Sequence, residues 1–186
     1  MGKRLYQEDR YVVENLTNNI LCTAVFDGHG GYECSEYCYK HLKNVLSEEL
    51  THHHDLETVL HNTFHTLHTH YTHWVHTHNQ GWKSGTTAAV SLVRGGVELA
   101  VGHVGDSRII LCRSGSSSVI HLTSDHCPSL IAEKNRIVSS GGSVGVDNIG
   151  RHMVNDALSM SRSLGDLHLK PYGVIPLPDT RTLRRN

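Results

Sequence analysis

The hydrophobic period of this chain changes once, and that change constrains the fold more than any single residue does. Cys34, Cys38, Leu42, Val45, Leu46 and Leu50 recur at threes and fours, with Glu33, Glu36, Lys40 and Lys43 off the stripe. After Asp55, the residues Leu56, Leu60, Phe64, Leu67, Tyr71, Trp74 and His78 make a second such stripe. This spacing places the apolar positions on one face of an α-helix. From Thr86 the period falls to two: 86–93 and 97–104 are β-rich runs joined by Arg94-Gly95-Gly96, a hairpin signal. Gly105-Asp106-Ser107 turns the chain into 108–112, and a flexible turn over 114–118 leads to a short strand over 119–122. Neighbouring strands with short turns are antiparallel, because a parallel pair needs a long crossover. Helices followed by an antiparallel meander predict an α+β layered domain rather than alternating β/α units. No linker or internal repeat divides the chain, so 1–186 reads as one domain.

Before the helices, the apolar run Ile-Leu-Cys-Thr-Ala-Val-Phe over 20–26 ends at Asp27. It reads as a buried strand that delivers a carboxylate at its end. Gly28, Gly30 and Gly31 then break the strand and let backbone approach whatever Asp27 holds. Later, 130–139 reads as a short helix with Ile131, Ile137 and Val138 facing in, stopped by Gly141-Gly142. The stretch 157–164 is expected to be a strand or turn. The tail from Pro171 carries three prolines and no clear element, and its Arg181, Arg184 and Arg185 read as a frayed, solvated end.

Composition narrows the partners. A net charge of −1 gives no reason to expect nucleic acid, and no apolar run approaches the ~18 residues of a membrane span. Five cysteines, Cys22, Cys34, Cys38, Cys112 and Cys127, show neither CxxC nor framework spacing. They read as reduced thiols in an intracellular compartment. Met1-Gly2-Lys3-Arg4 leads directly into polar sequence, so no signal peptide is expected before the domain. Seventeen histidines crowd toward 52–78. His61, His65 and His68 are spaced to share a helical face, which would suit loose nickel, copper or zinc binding, but a compositional bias on a solvated helix is the preferred reading.

The acids Glu8-Asp9, Asp27, Asp106, Asp125 and Asp166 each sit beside a turn or strand end. Clustered carboxylates with few bases suit hard divalent cations such as magnesium or manganese. Singly, an acid before a turn more often caps or solvates a loop. In order, however, the chain presents Arg4 ahead of Glu8-Asp9, Asp27-Gly28-His29-Gly30-Gly31, Ser84-Gly85-Thr86-Thr87-Ala88, Val104-Gly105-Asp106-Ser107-Arg108, Ser124-Asp125-His126-Cys127-Pro128 and Ser161-Arg162-Ser163-Leu164-Gly165-Asp166. With this series the chain resembles the metal-dependent type 2C protein serine/threonine phosphatases over nearly its whole length. The stretch from Ala157 to Ile175, with Leu167, Leu169-Lys170 and Gly173-Val174-Ile175, looks closest to the mitochondrial branch that acts on branched-chain α-ketoacid dehydrogenase.

The resemblance implies an antiparallel β-sandwich flanked by helices, with Mg²⁺ or Mn²⁺ at one end: two ions and a weaker third. By position, Asp27 would bridge two metals, the Gly28 carbonyl would bind one, and Glu8 and Asp9 would help hold the second. Asp125 matches a ligand of the weaker third site. Arg4 would grip the substrate phosphate as a forked cation, and His29 would protonate the leaving serine or threonine oxygen. Arg162 and Asp166 match supporting structure and carry no chemical step. The substrate is a phosphorylated protein, and the enzyme is expected to act as a monomer by direct attack of water. A seryl oxygen leaves badly, and histidine, with a pKa near ~6.5, is a suitable acid for it.

The resemblance also implies two late metal-binding aspartates, in an Asp-Gly and an Asp-Asn pair. Asp147-Asn148 precedes Ser161-Arg162 and so falls out of order, and Asp179 is followed by Thr180. The domain is therefore expected to be truncated at its C-terminal end and short at its start. The alternative is a catalytically inactive fragment or pseudo-phosphatase that acts as a binding module. A calcineurin-like phosphoesterase would need a Gly-Asn-His-Asp motif, which this sequence lacks.

Overall fold

Alternating side chains lay down the first hairpin. β1 (Arg10–Leu16) pairs antiparallel with β2 (Ile20–Phe26), from Arg10 opposite Phe26 to Leu16 opposite Ile20. The computed structural model describes residues 6–16, 19–112, 114–115 and 118–185. After β2 come β3 (Gly28–His29), α1 (Glu33–His52), α2 (Leu56–His78), β4 (Gly85–Thr86), β5 (Ala88–Arg94) and β6 (Glu98–Val104). Then follow β7 (Ile110–Cys112), β8 (Val119–His121), α3 (Ile131–Ser139), β9 (Val144–Val146), β10 (His152–Val154), β11 (Leu164–Gly165) and β12 (Asp179–Arg184).

The main sheet has the order β1-β2-β5-β6-β12, and every pair in it is antiparallel. Its even-numbered β1 and β2 residues, Val12, Leu16, Ile20, Cys22, Ala24 and Phe26, are buried under the two long helices. Leu42, Leu46, Leu56, Leu60, Phe64, Leu67 and Tyr71 meet them in one core. Each fully buried large side chain there contributes about 1.5–3 kcal/mol by leaving water, so the stripes hold the helices against the sheet. Asp55 caps α2 by accepting from the Thr58 backbone N–H at 2.9 Å.

The opposite face of the sheet is open at its first two strands, where Tyr11 (73%), Val13 (65%) and Val25 (49%) are exposed. A cleft of about 450 Å³ separates it from Arg108, Ile109 and Ile110. The β7–β8 ribbon forms a separate two-stranded sheet. The architecture is α+β with antiparallel sheets and flanking helices, as expected.

Several local expectations are corrected. β1 is a strand that the periodicity reading passed over, because Arg10, Glu14 and Asn15 dilute its alternation. The tail does not fray: β12 pairs with β6 from Asp179 opposite His103 to Arg184 opposite Glu98, and Arg184 reaches the Glu98 carboxylate at 3.1 Å. The chain does not continue as a simple meander, since β6 lies between β5 and β12 while β7 and β8 form a separate ribbon. In α3 only Ile137 of the three named residues is buried; Ile131 (80%) and Val138 (54%) face solvent. The buried face of this helix is polar as well as apolar, because Glu133 (3%) turns inward to two arginines.

Candidate active site

Three of the glycine-bearing motifs are stitched into one small sheet of order β11-β4-β3. Gly28 faces Thr86 and His29 faces Gly85, while Leu164 and Gly165 face Thr86 and Gly85 from the other side. The glycines permit this crossing. A Cβ on Gly85 would run into the Asp166 carboxylate, and one on Gly28 would meet the Glu8 carbonyl and sit 2.7 Å from Ser35 Oγ.

Asp27 sits where β2 ends. Its backbone N–H donates to Thr87 Oγ1 at 3.0 Å, its carbonyl accepts from the Thr87 N–H at 3.0 Å, and Thr87 Oγ1 lies 2.7 Å from Ser107 Oγ. The Asp27 strand end is thereby tied to the Gly105-Asp106-Ser107 turn. The Asp27 pKa is raised, first by burial, then by the charges of Asp9 and Asp106 and a hydrogen bond with Asp9. Carboxylates that repel one another this way and open to solvent form an oxygen-rich donor set suited to a divalent cation. The residues present therefore fit the expected metals, with Asp106 as an additional acid beside Asp9 and Asp27.

Glu8 is placed differently from a simple ligand. Its Oε1 accepts from the Gly31 N–H at 2.9 Å, and its carbonyl accepts a short hydrogen bond from Ser35 Oγ. Glu8 thus fastens the glycine loop to the start of α1. Asp125 receives a two-pronged hydrogen bond from Arg108, at 2.7 and 2.6 Å, which holds its carboxyl below the usual range. It is drawn to Arg108 rather than into the Asp9, Asp27 and Asp106 group. Arg4 lies outside the described residues.

His29 is partnered by a residue to which the sequence reading gave no chemical step. Its Nε2 lies 2.8 Å from Asp166 Oδ2. Burial alone would pull the imidazole pKa down, but the hydrogen bond and charge of Asp166, together with Asp27, outweigh it and leave the pKa raised. Asp166 is 1% exposed and accepts from Ser163 Oγ at 2.5 Å. Lys170 Nζ donates to the Ser163 carbonyl at 2.7 Å, and its desolvation lowers the ammonium pKa to about 8. The only sequence signal for this arrangement was the Ser163-Leu164-Gly165-Asp166 motif itself.

A further group of metal-ligating side chains, His103, His126 and Asp179, has donor atoms within 4.8 Å of one another. Its hydrogen bonds speak against a cation. The Gly105 N–H donates to His126 Nδ1 at 3.1 Å, which leaves the ring proton on Nε2, facing Asp179 Oδ2 at 3.3 Å. His103 Nε2 donates to the Ser124 carbonyl at 2.8 Å, and Arg162 pairs with Asp179 at 2.9 Å. Desolvation, followed by Arg162 and His103, pushes the His126 pKa down to about 4, so the ring stays neutral. The group is a hydrogen-bonded clasp between the sheet edge and the 124–126 turn.

The histidines of α2 are mostly exposed: His61 and His65 face solvent, whereas His68 accepts from the Gly165 N–H at 3.3 Å. All five cysteines are free thiols, and no described helix is long and apolar enough to cross a membrane.

Comparison with known proteins finds a matching family model, relatives and similar solved structures. The family model "Protein phosphatase 2C" matches residues 7–186. The chain is 42% identical over 188 residues to the mitochondrial protein phosphatase 1K of Xenopus laevis, covering 99% of this chain and 49% of that protein. It is 34% identical over 177 residues to protein phosphatase 2C homolog 2 of Saccharomyces cerevisiae, covering 91% and 36%. Among solved structures, a sex-determining protein of C. elegans superposes with a TM-score of 0.90 at 29% identity, over 100% of this chain and 47% of that one. A serine-threonine phosphatase 2C from Toxoplasma gondii, at 24% identity, shares the fold with a TM-score of 0.85 over 100% and 71%. The chain spans about half the length of the first of these curated relatives and about a third of the second.

Proposed function

The chain belongs to the protein phosphatase 2C family, and from that premise we propose that the cleft around Asp27 and His29 hydrolyses phosphoserine and phosphothreonine in protein substrates. The observation that carries this reading is the placement of two different chemistries side by side. Asp9, Asp27 and Asp106 form a carboxylate group in which the charges of Asp9 and Asp106 help raise the Asp27 pKa. Next to them, His29 rests on a buried carboxylate. Asp27, the Gly28 carbonyl, Asp9 and Asp106 would hold Mg²⁺ or Mn²⁺, with Glu8 steadying the loop beside them. When bound, such ions supply a water nucleophile near neutral pH and offset charge on the phosphoryl oxygens. Arg4 would grip the phosphate. His29 would give its proton to the leaving seryl or threonyl oxygen, which departs poorly as an alkoxide. A weaker third ion at Asp125 would require Arg108 to release that carboxylate. The mitochondrial relative supports a mitochondrial compartment.

The test is hydrolysis of a phosphothreonine peptide by the full chain with added Mn²⁺, beside Asp27→Ala. Manganese-dependent turnover that disappears in Asp27→Ala supports the reading. A folded chain that binds Mn²⁺ through Asp27 yet releases no phosphate moves the assignment to a pseudo-phosphatase that acts by binding.

A further inference from the structure

We propose that Asp166 is the positioning residue for His29: it holds the imidazole with its proton on Nε2, which makes Nδ1 the nitrogen that serves the leaving oxygen. The inference rests on the phosphatase reading for its chemistry but on geometry for its residues. An ionised carboxylate only accepts hydrogen bonds, so the 2.8 Å contact between His29 Nε2 and Asp166 Oδ2 assigns the Nε2 proton to the ring. Nδ1 is then the remaining nitrogen, and it is buried without a hydrogen-bond partner.

Asp166 is itself held on every side. Ser163 Oγ donates to Oδ2 at 2.5 Å, its backbone N–H donates to the Ser84 carbonyl at 2.9 Å, and its φ of 49° places it in the left-handed region. Gly85 lies against the carboxylate with room for hydrogen only, and it is the register partner of His29. The aspartate therefore cannot move without disturbing the strand that carries the histidine. This is the arrangement by which a second residue fixes tautomer and ring orientation for a histidine in proton transfer. In the step, water forms a bond to phosphorus while the P–O bond to serine or threonine breaks. The electron pair goes to the leaving oxygen, which takes the second proton that the imidazolium carries on Nδ1 and leaves the neutral ring with its proton on Nε2; the attacking water loses a proton to solvent, and Nδ1 is reprotonated from solvent.

The experiment has two readouts on the full chain. Proton–nitrogen correlation spectra of histidine-labelled protein, with His29 identified by its loss in His29→Gln, should show a downfield, exchange-protected proton on His29 Nε2. That resonance should move upfield in Asp166→Asn, which suits a left-handed position, and vanish in Asp166→Ala. A neutral His29 ring with its proton on Nδ1 and none on Nε2, no protected proton at all, or no change in Asp166→Asn overturns the proposal. With Mn²⁺, Asp166→Asn should lower kcat on a phosphothreonine peptide by about 100-fold, with KM little changed. On p-nitrophenyl phosphate, whose leaving group needs no proton, the loss should be at least tenfold smaller. Equal losses on both substrates overturn the positioning role. If the unmodified chain hydrolyses neither substrate, the phosphatase reading falls, while the spectra still decide whether Asp166 holds His29.

Discussion

Replacing Glu133 with Gln removes the charge that joins α3 to the segment entering β12. The carboxylate accepts from Arg136 at 2.7 and 2.6 Å, from Arg162 at 2.7 Å and from Ser161 Oγ at 2.5 Å. Arg162 continues to Asp179 at 2.9 Å and to the Leu177 carbonyl at 3.1 Å. Burial by itself would raise the Glu133 pKa, but Arg136, Arg162 and Ser161 outweigh it and hold the carboxyl far below the usual range. Glutamine keeps the shape but leaves two guanidiniums facing a neutral amide. Breaking a buried pair in this way costs about 3–5 kcal/mol; the partial exposure of both arginines, 24% and 15%, argues for the lower end. At about 3 °C per kcal/mol for a domain of this size, Tm should fall by roughly 9 °C. The pH dependence has a definite sign. The folded pKa lies below the unfolded value of about 4.3, so the stabilisation is complete above that value and is lost as pH falls toward the folded one. Thermal melts of the chain and of Glu133→Gln should therefore differ fully at neutral pH and converge only under acid conditions. A Tm loss under about 2 °C at neutral pH, or convergence already between neutral and mildly acid pH, would refute the reasoning.

Gly85→Ala drives a methyl group into the pinned Asp166 carboxylate; an overpacking cost of about 1–3 kcal/mol should appear in thermal melts, together with a shift of the His29 ring resonances. Asp55→Ala removes the cap that accepts from Thr58 N–H and Oγ1; the expected loss is about 1 kcal/mol, read by urea titration, with Asp55→Asn retaining most of it. Asp106→Asn thins the carboxylate group around Asp27 and should weaken Mn²⁺ binding by at least about tenfold in calorimetric titration, whereas unchanged affinity would make Asp106 a solvated turn residue. Chelation with EDTA should abolish hydrolysis and leave the Asp27 pKa raised, and refilling with Mg²⁺ should lower it, as followed by carboxyl NMR, because a bound cation favours the ionised form.

The long apolar stripes and the strand ending at Asp27 were legible because each is a local pattern whose apolar face has one place to go. Leu42, Leu46, Leu60 and Phe64 are all buried in the helix–sheet core. Patterns diluted by polar residues were not legible. Arg10–Leu16 and Asp179–Arg184 lie on the two edges of the sheet, where one face or one side meets water and charged residues are tolerated. Val138 and Ile131 misled for the converse reason: a short helix can turn a buried carboxylate inward when two arginines from different segments neutralise it.

By itself, the sequence determined the motifs, their order and the family they resemble, because each motif is a few residues with a fixed local chemistry. It also determined that Asp27 ends a buried strand before a glycine loop. Only the tertiary structure decided which motifs touch. The pairing of Gly85 with both His29 and Gly165 brings segments more than 130 residues apart within one hydrogen bond, His29 to Asp166. The separate pairing of β12 with β6 sets Asp179 beside His103, and Asp125, across the β7–β8 ribbon from Arg108, pairs with it instead of joining the other acids. Contacts between distant segments depend on register and on the absence of a Cβ at the crossing, and neither is written in any one stretch of the chain.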